Sequence, residues 1–498
     1  MRNTVYGTLI FVASSILVSF SVQAAELTTD SIELVPPVTA VPRKPAIVSP
    51  YWNYRGTPFK DQISLGVGDE HYLNDAPVGD SDYIQVYGRL RYQTDPEQPF
   101  MGTIDLGAST SLNVNNYSNY EVVQAHVNWE ELDPETWIRA SVSVGRRKFA
   151  WSTLDSEWLL GVVQPFNRFD GLRPVEQGLT GAFASVGAGH FDLLGFVSGI
   201  YIPEQGAPYE INDSKQITTT SPWFDPPPEE MIFENSEERD VRYDVQIPPI
   251  KDIVFQPSQG ILARASDPDG EGYYAQVGIL RKPRNTIALP FIGKLCLEDA
   301  TNYGCVTVKP EVTYATVKVA DVGYVTKNYA FGVSGLEEDP DDLDRVAEYN
   351  YQLLDTMRMV SVFAELRTFQ SSYWGPRLRV SYLNTVDGGN ATLVGPLATN
   401  TNVFGARTMF RKALSISAKT LLYRSGRWSL DNSIKLIDEM DEDGTILMVD
   451  FGVNIGQHWS ISMYADFLGS QKPLDQTDTF ISRYRGNDRV AAIVNFLF

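Results

Sequence analysis

Residues 488–498 alternate between two faces of side chains, and this pattern constrains the fold more than any other feature of the chain. One face is wholly apolar and consists of Val490, Ala492, Val494, Phe496 and Phe498. Alternation with a period of two indicates a β-strand. A strand of about ten residues with one apolar face is long enough to cross a bilayer at a tilt. A buried edge strand of a soluble sandwich has the same pattern, so this segment alone leaves both folds open.

This ending resembles the closing strand of the β-barrels of Gram-negative outer membranes, whose terminal aromatic residue is an assembly signal. The resemblance implies that Phe498 is recognised by the barrel-assembly machinery. It also implies that the protein lies in the cell outer membrane of a Gram-negative bacterium, where it contacts membrane lipid and lipopolysaccharide. The resemblance is to porin-like barrels in general and to no specific family among them.

The first 25 residues have the pattern of a secretory signal peptide. Arg2 precedes an apolar stretch over residues 9–20, and small residues follow at 24–25. No later stretch holds about 18 consecutive apolar residues, so we expect an exported chain without a membrane-spanning helix. Residues 26–59 contain six prolines and are predicted to form an extended periplasmic lead-in.

The composition excludes some functions and supports others. The 498 residues carry a formal net charge of −21, which argues against nucleic-acid binding, since that needs a basic surface. A hydrophobic content of 43% suits a barrel, in which only alternate residues face lipid. Cys296 and Cys305 are predicted to form a disulfide in an oxidising compartment, closing a loop of about ten residues and worth roughly 2–3 kcal/mol. No histidine lies near either cysteine, so we predict no metal site and no cofactor.

Segments of alternating polarity recur along the whole chain, and they predict an all-β protein. Clear examples are residues 104–112, 123–129, 360–366, 447–455 and 461–467. Helical periodicity is weak almost everywhere, and residues 341–353 are the best short exception.

The lengths of the connections favour a barrel over a sandwich. Counted back from Phe498, long and short links alternate along most of the chain, as they do where long external loops and tight periplasmic turns join membrane strands. The long links are residues 149–179, 203–260, 282–306, 334–357, 387–402 and 469–487. The sequence therefore predicts a transmembrane antiparallel β-barrel over residues 60–498. It has about eighteen strands, or sixteen if segment 60–67 or 258–267 is not a strand.

Strand parity assigns sixteen charged side chains to the inner face of the predicted barrel. They are Arg89, Arg91, Asp105, Glu130, Arg139, Arg147, Glu365, Arg367, Arg377, Arg379, Lys419, Asp431, Lys435, Asp450, Asp466 and Arg489. Ten cations and six anions make this lumen basic, and the excess acid is then expected in external loops such as 337–344 and 439–443. Charges inside a low-dielectric wall act strongly on a passing solute. The pattern predicts a pore for polar or anionic solutes, and ion pairs that brace neighbouring strands explain it equally well.

Two long loops are predicted to narrow this pore. Residues 149–179 include Trp151 and Trp158 and are too apolar to stay in water, so we expect them to pack into the barrel mouth. Residues 203–260 contain runs of proline and are predicted to be stiff and extended. Residues 145–148, with the sequence Gly-Arg-Arg-Lys before the first of these loops, resemble solute-specific and polysaccharide-export porins.

These features predict a porin-like channel for small polar or anionic solutes. Export of an anionic polysaccharide is one alternative, and a plugged surface or structural barrel whose loops bind partners is another. No catalytic residue is predicted, because only His71 among the four histidines lies near acidic residues in a loop and no Gly-x-Ser-x-Gly turn is present. The outer face of a single chain leaves homo-oligomerisation open.

Overall fold

The alternating segments pair into one closed sheet, so the molecule is a β-barrel of eighteen antiparallel strands. The last strand pairs with the first, and Val494 lies opposite Val67 at the seam that closes the barrel. The predicted all-β barrel with about eighteen strands is therefore confirmed, and the alternative count of sixteen is wrong.

The computed structural model of the protein describes residues 62–74, 79–94, 99–130, 138–224, 226–227, 229–232, 238–267, 271–298, 301–342, 346–367, 376–389, 391–396, 407–425, 428–441, 443–473 and 479–498. The predicted signal peptide, residues 1–25, and the predicted lead-in, residues 26–59, lie outside the described residues.

The strands are β1 (Gln62–Tyr72), β2 (Asp82–Gln93), β3 (Phe100–Ser111), β4 (Ser118–Glu130), β5 (Ile138–Arg147), β6 (Phe166–Asn167), β7 (Val175–Glu176), β8 (Leu179–Ala188), β9 (Phe191–Ser198), β10 (Glu210–Ile211), β11 (Ile217–Thr218), β12 (Glu230–Ile232), β13 (Glu238–Val245), β14 (Ser258–Ser266), β15 (Gly272–Pro283), β16 (Phe291–Glu298), β17 (Thr301–Val308), β18 (Tyr314–Val325), β19 (Tyr329–Pro340), β20 (Tyr351–Leu354), β21 (Met357–Arg367), β22 (Arg377–Asp387), β23 (Ala391–Val394), β24 (Lys412–Ser425), β25 (Trp428–Glu439), β26 (Gly444–Ile455), β27 (Trp459–Ser470) and β28 (Arg489–Leu497). The short strands β6, β7, β10–β13, β16, β17, β20 and β23 belong to the long loops, and the others form the barrel. The helices are α1 (Thr153–Glu157), α2 (Ile250–Val254) and α3 (Phe480–Arg483). None of these helices, which are the ones in the described part of the chain, is long and apolar enough to cross a membrane.

The outer face of the barrel is apolar. Side chains along a strand point alternately outward and inward, and the outward ones are largely apolar. On β1, for example, Ile63, Leu65 and Val67 are exposed on the outside, whereas the residues between them face the interior. Aromatic rings collect near the turn between β18 and β19, at the periplasmic end, where Tyr273, Tyr324, Tyr329 and Phe331 pack together. Aromatic residues are typical of the boundary between lipid and water in membrane barrels.

The inner face is less polar than the sequence predicts. In the external half of the wall from β9 to β27, many inward residues are apolar and form one buried cluster with the loop between β5 and β8. The inward members include Leu194, Leu262, Val317, Met359, Leu383, Ile437 and Leu468. The simple expectation of apolar residues outside and polar residues inside is therefore wrong for this region, because its inner wall packs against protein rather than water.

Two long loops join in a sheet of their own. Strands β12 and β13, which follow β9, pair with the hairpin β16–β17, which follows β15, and β13 runs parallel to β17. Cys296 on β16 and Cys305 on β17 are joined by a disulfide. A second small sheet, β20 with β23, joins the next two long loops. Residues 351–353 lie in β20, so the helical periodicity of 341–353 does not produce a helix in this part of the segment.

Some acidic residues that were expected in loops belong to barrel strands. Strands β19 and β25 are longer at their external ends than predicted, and they include Glu338 and Glu439. Glu338 is buried and forms ion pairs with Arg284 and Arg407, at 3.0 and 2.7 Å. Glu439 accepts hydrogen bonds from two backbone N–H groups at the start of β24. These carboxylates fasten loops to the inner wall and do not stand in water.

The outward position of Val67 predicts that Val67→Arg destabilises the barrel by about 2–4 kcal/mol, because the charge is placed against hydrocarbon near the middle of the wall. Urea-induced unfolding in lipid vesicles measures this loss. Ser462→Arg is the control, since Ser462 faces the interior on the nearby strand β27 and its charge stays in a polar environment. Equal stability of the two variants would contradict the assignment of the outer face.

Candidate functional site

The loop that joins β5 to β8, residues 148–178, enters the barrel and is termed the inserted loop. Gly145 lies near the end of β5, just before this loop, and its φ is +126°. A Cβ at this position would lie 2.3 Å from the carbonyl oxygen of Ala125, so only glycine fits here. Trp151, Leu154 and Trp158 of the inserted loop are almost completely buried. The loop therefore packs within the barrel and does not stand above it.

A buried carboxylate organises the inserted loop. Helix α1 begins after Ser152, whose hydroxyl accepts a hydrogen bond from the N–H of Asp155 at 3.2 Å. The Asp155 carboxylate in turn accepts from the N–H groups of Val162, Val163 and Gln164, at 2.9, 3.0 and 3.3 Å. Burial raises the pKa of the Asp155 carboxyl to about 6, against the effect of these donors, which lower it. Three converging donors require an acceptor with two oxygens at this position.

The first half of the inserted loop is attached to the wall at β21 and β22. The indole N–H of Trp158 donates to the hydroxyl of Ser361 at 2.9 Å. The Glu157 carboxylate accepts from the guanidinium of Arg379 at 2.9 and 2.5 Å. Together with the apolar cluster, these contacts fill this side of the lumen with protein.

The second half of the inserted loop is attached to β26–β28 and β1 by a network of ion pairs. Arg173 contacts Asp450 on β26 at 2.6 Å and Asp466 on β27 at 2.6 Å. Asp170 contacts Arg489 of β28 at 2.7 Å. Arg489 also contacts Asp466 and, on β1, Glu70. This network, termed the latch, comprises Glu70, Asp170, Arg173, Asp450, Asp466 and Arg489.

A cavity of about 540 Å³ lies between the second half of the inserted loop and the wall formed by β1–β4, β27 and β28. It reaches from Tyr117 and Phe169 at the external side to Ser64, Ser460 and Leu497 near the periplasmic ends of their strands. Its charged lining residues are Glu70, Arg89, Arg91, Glu121, Asp170 and Arg173. A space thus remains along this wall beside the inserted loop.

The ion pairs around Asp105 are oriented with their cations toward the open space. Arg89 donates to Asp105 at 2.8 Å, and its side chain is 31% exposed whereas that of Asp105 is 4% exposed. Arg91, 3.5 Å from the same carboxylate, is 37% exposed. The order is reversed in the latch, where Asp170 and Glu70 are more exposed than Arg489, and Asp450, at 39%, is more exposed than Arg173, at 23%. The formal charges of the lining balance, and the exposure of Arg89 and Arg91 makes the part of the surface at β2 basic.

The external end of the cavity is covered by aromatic side chains. Tyr72, Tyr83 and Tyr117 are nearly inaccessible and pack with Phe169 of the inserted loop. The ring centroid of Tyr117 lies 4.5 Å from that of Tyr83 and 4.5 Å from that of Phe169. Because Tyr117 and Phe169 also line the cavity, this cluster forms its external cover.

Residues 219–224 of the loop between β9 and β14, termed the mouth strap, cross to this side of the barrel and reinforce the cover. The indole N–H of Trp223 donates to the hydroxyl of Tyr72 at 3.0 Å, and the hydroxyl of Tyr83 donates to the carbonyl oxygen of Thr220 at 2.6 Å. The ring of Trp223 is stacked on Phe480 of α3, with centroids 6.4 Å apart. Strands β1 and β2 are far from β9 and β14 in the order of the barrel, so the strap spans its mouth.

The sixteen side chains predicted for the inner face lie in several places. Arg89 and Arg91 line the cavity, and Asp105 stands behind them. Asp450, Asp466 and Arg489 belong to the latch. Arg147 donates to the side chains of Asn128 and Ser143, at 2.9 and 2.8 Å. Glu365, Arg367 and Arg379 form a charged group on β21 and β22. Glu130, Arg139, Arg377, Lys419, Asp431 and Lys435 lie on barrel strands and do not line this cavity.

Four charged residues of the cavity were not predicted. Arg173 and Asp170 lie in a loop, where strand parity says nothing about direction. Glu70 belongs to β1, which extends to the position expected to be loop. Glu121 faces inward because the register of β3 and β4 shifts next to Asp105, which reverses the parity of the residues before the bulge. The aromatic content of residues 149–179 was the one signal that located this part of the site.

His71 is on the outer face of β1 and not in a loop. Its imidazole Nδ1 lies 2.5 Å from the Asp82 carboxylate, and the hydroxyl of Ser81 donates to that same carboxylate at 2.8 Å. The Ser81 hydroxyl thus contacts the carboxylate and not the His71 imidazole, so these residues lack the arrangement of a hydroxyl nucleophile activated by a histidine. No group of three metal-binding side chains occurs within the residues described.

No protein-family model and no curated protein matches this chain. Among solved structures it is similar to a mutant of the Rhodopseudomonas blastica porin, with 9% identity, 88% of this chain and 99% of that chain covered, and a TM-score of 0.35. It is similar to Salmonella typhi OmpF in complex with daunomycin, with 10% identity, 88% and 97% coverage and a TM-score of 0.36. For Acinetobacter baumannii OccAB4 the values are 10%, 88%, 97% and 0.42. At this level the likeness reaches no further than the barrel.

The carboxylate at the centre of the inserted loop predicts the effect of Asp155→Asn. The new amide nitrogen faces N–H donors instead of accepting from them, which costs about 1–3 kcal/mol for each buried group left without an acceptor. Hydrogen–deuterium exchange of residues 153–164 should therefore become faster. Asp213→Asn, in an exposed turn, is the control and should leave exchange in this segment unchanged. Unaltered protection in the Asp155 variant would contradict this role of the carboxylate.

Proposed function

We propose that the protein is an outer-membrane channel for small polar solutes, with a preference for anions, and that solutes pass through the cavity beside the inserted loop. The observation that carries the proposal is the sidedness of the ion pairs, because Arg89 and Arg91 reach the cavity while Asp105 lies behind them. A guanidinium binds carboxylate and phosphate oxygens through paired N–H donors. In a narrow passage with low-dielectric walls, such charges attract anions more effectively than they do in open water.

The remaining lining supports passage of small hydrated solutes rather than apolar ones. Tyr87 and Tyr464 line the same wall as the arginines, together with serine and asparagine side chains of β3, β4, β27 and β28. Arg173 of the inserted loop lines the same cavity and is held by Asp450 and Asp466 at 2.6 Å each. A solute in transit can therefore exchange water for protein hydrogen bonds along its path.

Replacement of both Arg89 and Arg91 by Gln should abolish the preference for anions. Asp105 and Glu121 then lose their nearest cations, and the passage becomes acidic. The reversal potential of single channels in planar bilayers, measured across a KCl gradient, should shift toward cation selectivity.

The same double replacement by Lys keeps the charges and should retain anion selectivity. Lys318→Gln, which removes an exposed cation of the outer wall, controls for general effects of charge. A reversal potential that is the same in the Gln variant and the unaltered protein would refute conduction along this path.

One observation favours a second function, that of a plugged barrel whose external loops bind partners. The aromatic cluster and the mouth strap cover the external end of the cavity, and the apolar cluster fills the other side of the lumen. Under the first proposal, the strap must move for a solute to enter. No contact in the described structure favours export of a polysaccharide, which stays a prediction from the sequence alone.

Trp223→Ala separates the two functions. Trp223 joins the mouth strap to β1 and α3, and removal of such a buried indole typically costs about 3–5 kcal/mol of packing. If the strap covers a channel, single-channel conductance or open time should rise several-fold. Phe224→Ala is the control, since the neighbouring Phe224 stacks on Tyr209 instead of on the barrel wall. Absence of current in both the variant and the unaltered protein would favour the plugged barrel.

A further inference from the structure

The barrel wall is short at β9 and β14, which are neighbours. These strands have 8 and 9 residues, whereas the next strands, β15 and β18, have 12 each. Eight residues at a rise of about 3.3 Å and a tilt of about 40° span roughly 20 Å along the membrane normal, less than an apolar band of about 25 Å. The ladder between β9 and β14 ends on the external side at the pair Ser198 and Ser258. At this place the barrel strands alone are too short to cover the hydrocarbon.

Exposed apolar side chains continue past the end of this short ladder. Ile247 is 83% exposed, Ile250 is 77% exposed and Phe255 is 66% exposed, all within nine residues that lead into β14. Two more exposed isoleucines, Ile200 and Ile202, directly follow β9. These five residues, Ile200, Ile202, Ile247, Ile250 and Phe255, are termed the apolar overhang.

The apolar overhang is fixed to the external rim of the barrel. The N–H of Tyr201 donates to the carbonyl oxygen of Val254 at 2.7 Å, which joins the residues after β9 to those before β14. The hydroxyl of Tyr314, the first residue of β18, donates to the side chain of Gln256 at 2.8 Å. The isoleucines on either side of buried Tyr201 therefore alternate as in a strand, with their side chains on the exposed side.

The short helix α2 has two unlike sides. At 100° per residue, Ile250 and Val254 lie on one side, and the charged Lys251 and Asp252 lie on the other. This is the arrangement of a segment that lies at the boundary of lipid and water with its apolar side toward the acyl chains. An apolar surface this exposed indicates contact with a membrane or another protein rather than with bulk water.

We propose that the apolar overhang is embedded in the outer leaflet and completes the lipid-facing wall above β9 and β14, with lipid acyl chains as its occupant. Continuity with the lipid-facing surface supports acyl chains over a second protein, because β14 follows Phe255 within three residues and carries outward Ile261. Directly on the same strands, the outer wall has a groove of about 640 Å³ lined by Ala184, Gly195, Val197 and Ile261 among others. Small side chains there leave room for the acyl chains that the overhang would contact from above. The inference holds whether or not the barrel conducts.

Site-directed spin labelling tests this placement. Cys296 and Cys305 are bonded to each other, so a single introduced cysteine can be labelled selectively. Nitroxides at Ile250→Cys and Phe255→Cys, in phosphatidylcholine–phosphatidylglycerol vesicles, should collide several-fold more with oxygen than with a water-soluble nickel complex. Ile261→Cys provides the reference for the lipid-facing wall. Asp252→Cys, on the other side of α2, is the matched control and should show the reverse ratio.

Two results would overturn the proposal. Labels at positions 250 and 255 that respond to the nickel complex as the label at 252 does would place the overhang in water. Labels shielded from both reagents, with spectra broadened by a second label nearby, would show that another copy of the chain covers it. Heat-dependent migration on electrophoresis verifies that each variant has formed a barrel, and a variant that fails can be replaced by Ile247→Cys, for which the same ratio is expected.

Discussion

Burial of the inserted loop against an apolar part of the inner wall is the interaction on which the rest of the structure depends. A barrel of eighteen strands is wide enough to leave an open channel. Here, Trp151, Leu154 and Trp158 pack against inward residues of β14 to β25, and each such side chain contributes roughly 1.5–3 kcal/mol when removed from water. One side of the lumen becomes a protein core, and the opening is displaced to the other side.

The charged residues of the site follow from this displacement. Once the loop occupies one side, its polar half faces β26–β28 and β1, where Arg173 and Asp170 find Asp466 and Arg489. Buried charges in such a network need partners on every side, because an isolated one is costly to remove from water. The latch therefore fixes the width of the passage, and the arginines of β2 provide its exposed charge. The mouth strap adds a second closure from another loop, so the cover of the cavity and its exposed charges lie in different parts of the chain.

Sequence reasoning was most successful where each side chain obeys the period of a strand. Parity placed Arg89, Arg91 and Asp105 together on the inner face, and they do form one group at the cavity. It failed for Glu121 because a β-bulge reverses the alternation without any turn residue to announce it. It also failed for Glu338 and Glu439. Loops that fold back onto the rim provide an arginine for Glu338 and a backbone N–H group for Glu439, so these carboxylates do not need water as a partner.

By itself, the sequence determined that this chain forms a closed barrel. Side-chain alternation and the lengths of the links are local properties, so they can be recognised without knowledge of any long-range contact. Which side of the lumen is filled, which charges face the passage and what covers its mouth were decided by the tertiary structure. Residues such as Asp170, Arg173 and Trp223 lie in loops, and their partners are more than two hundred residues away or across the barrel. Loop direction has no period, so only the packed molecule could bring these groups together.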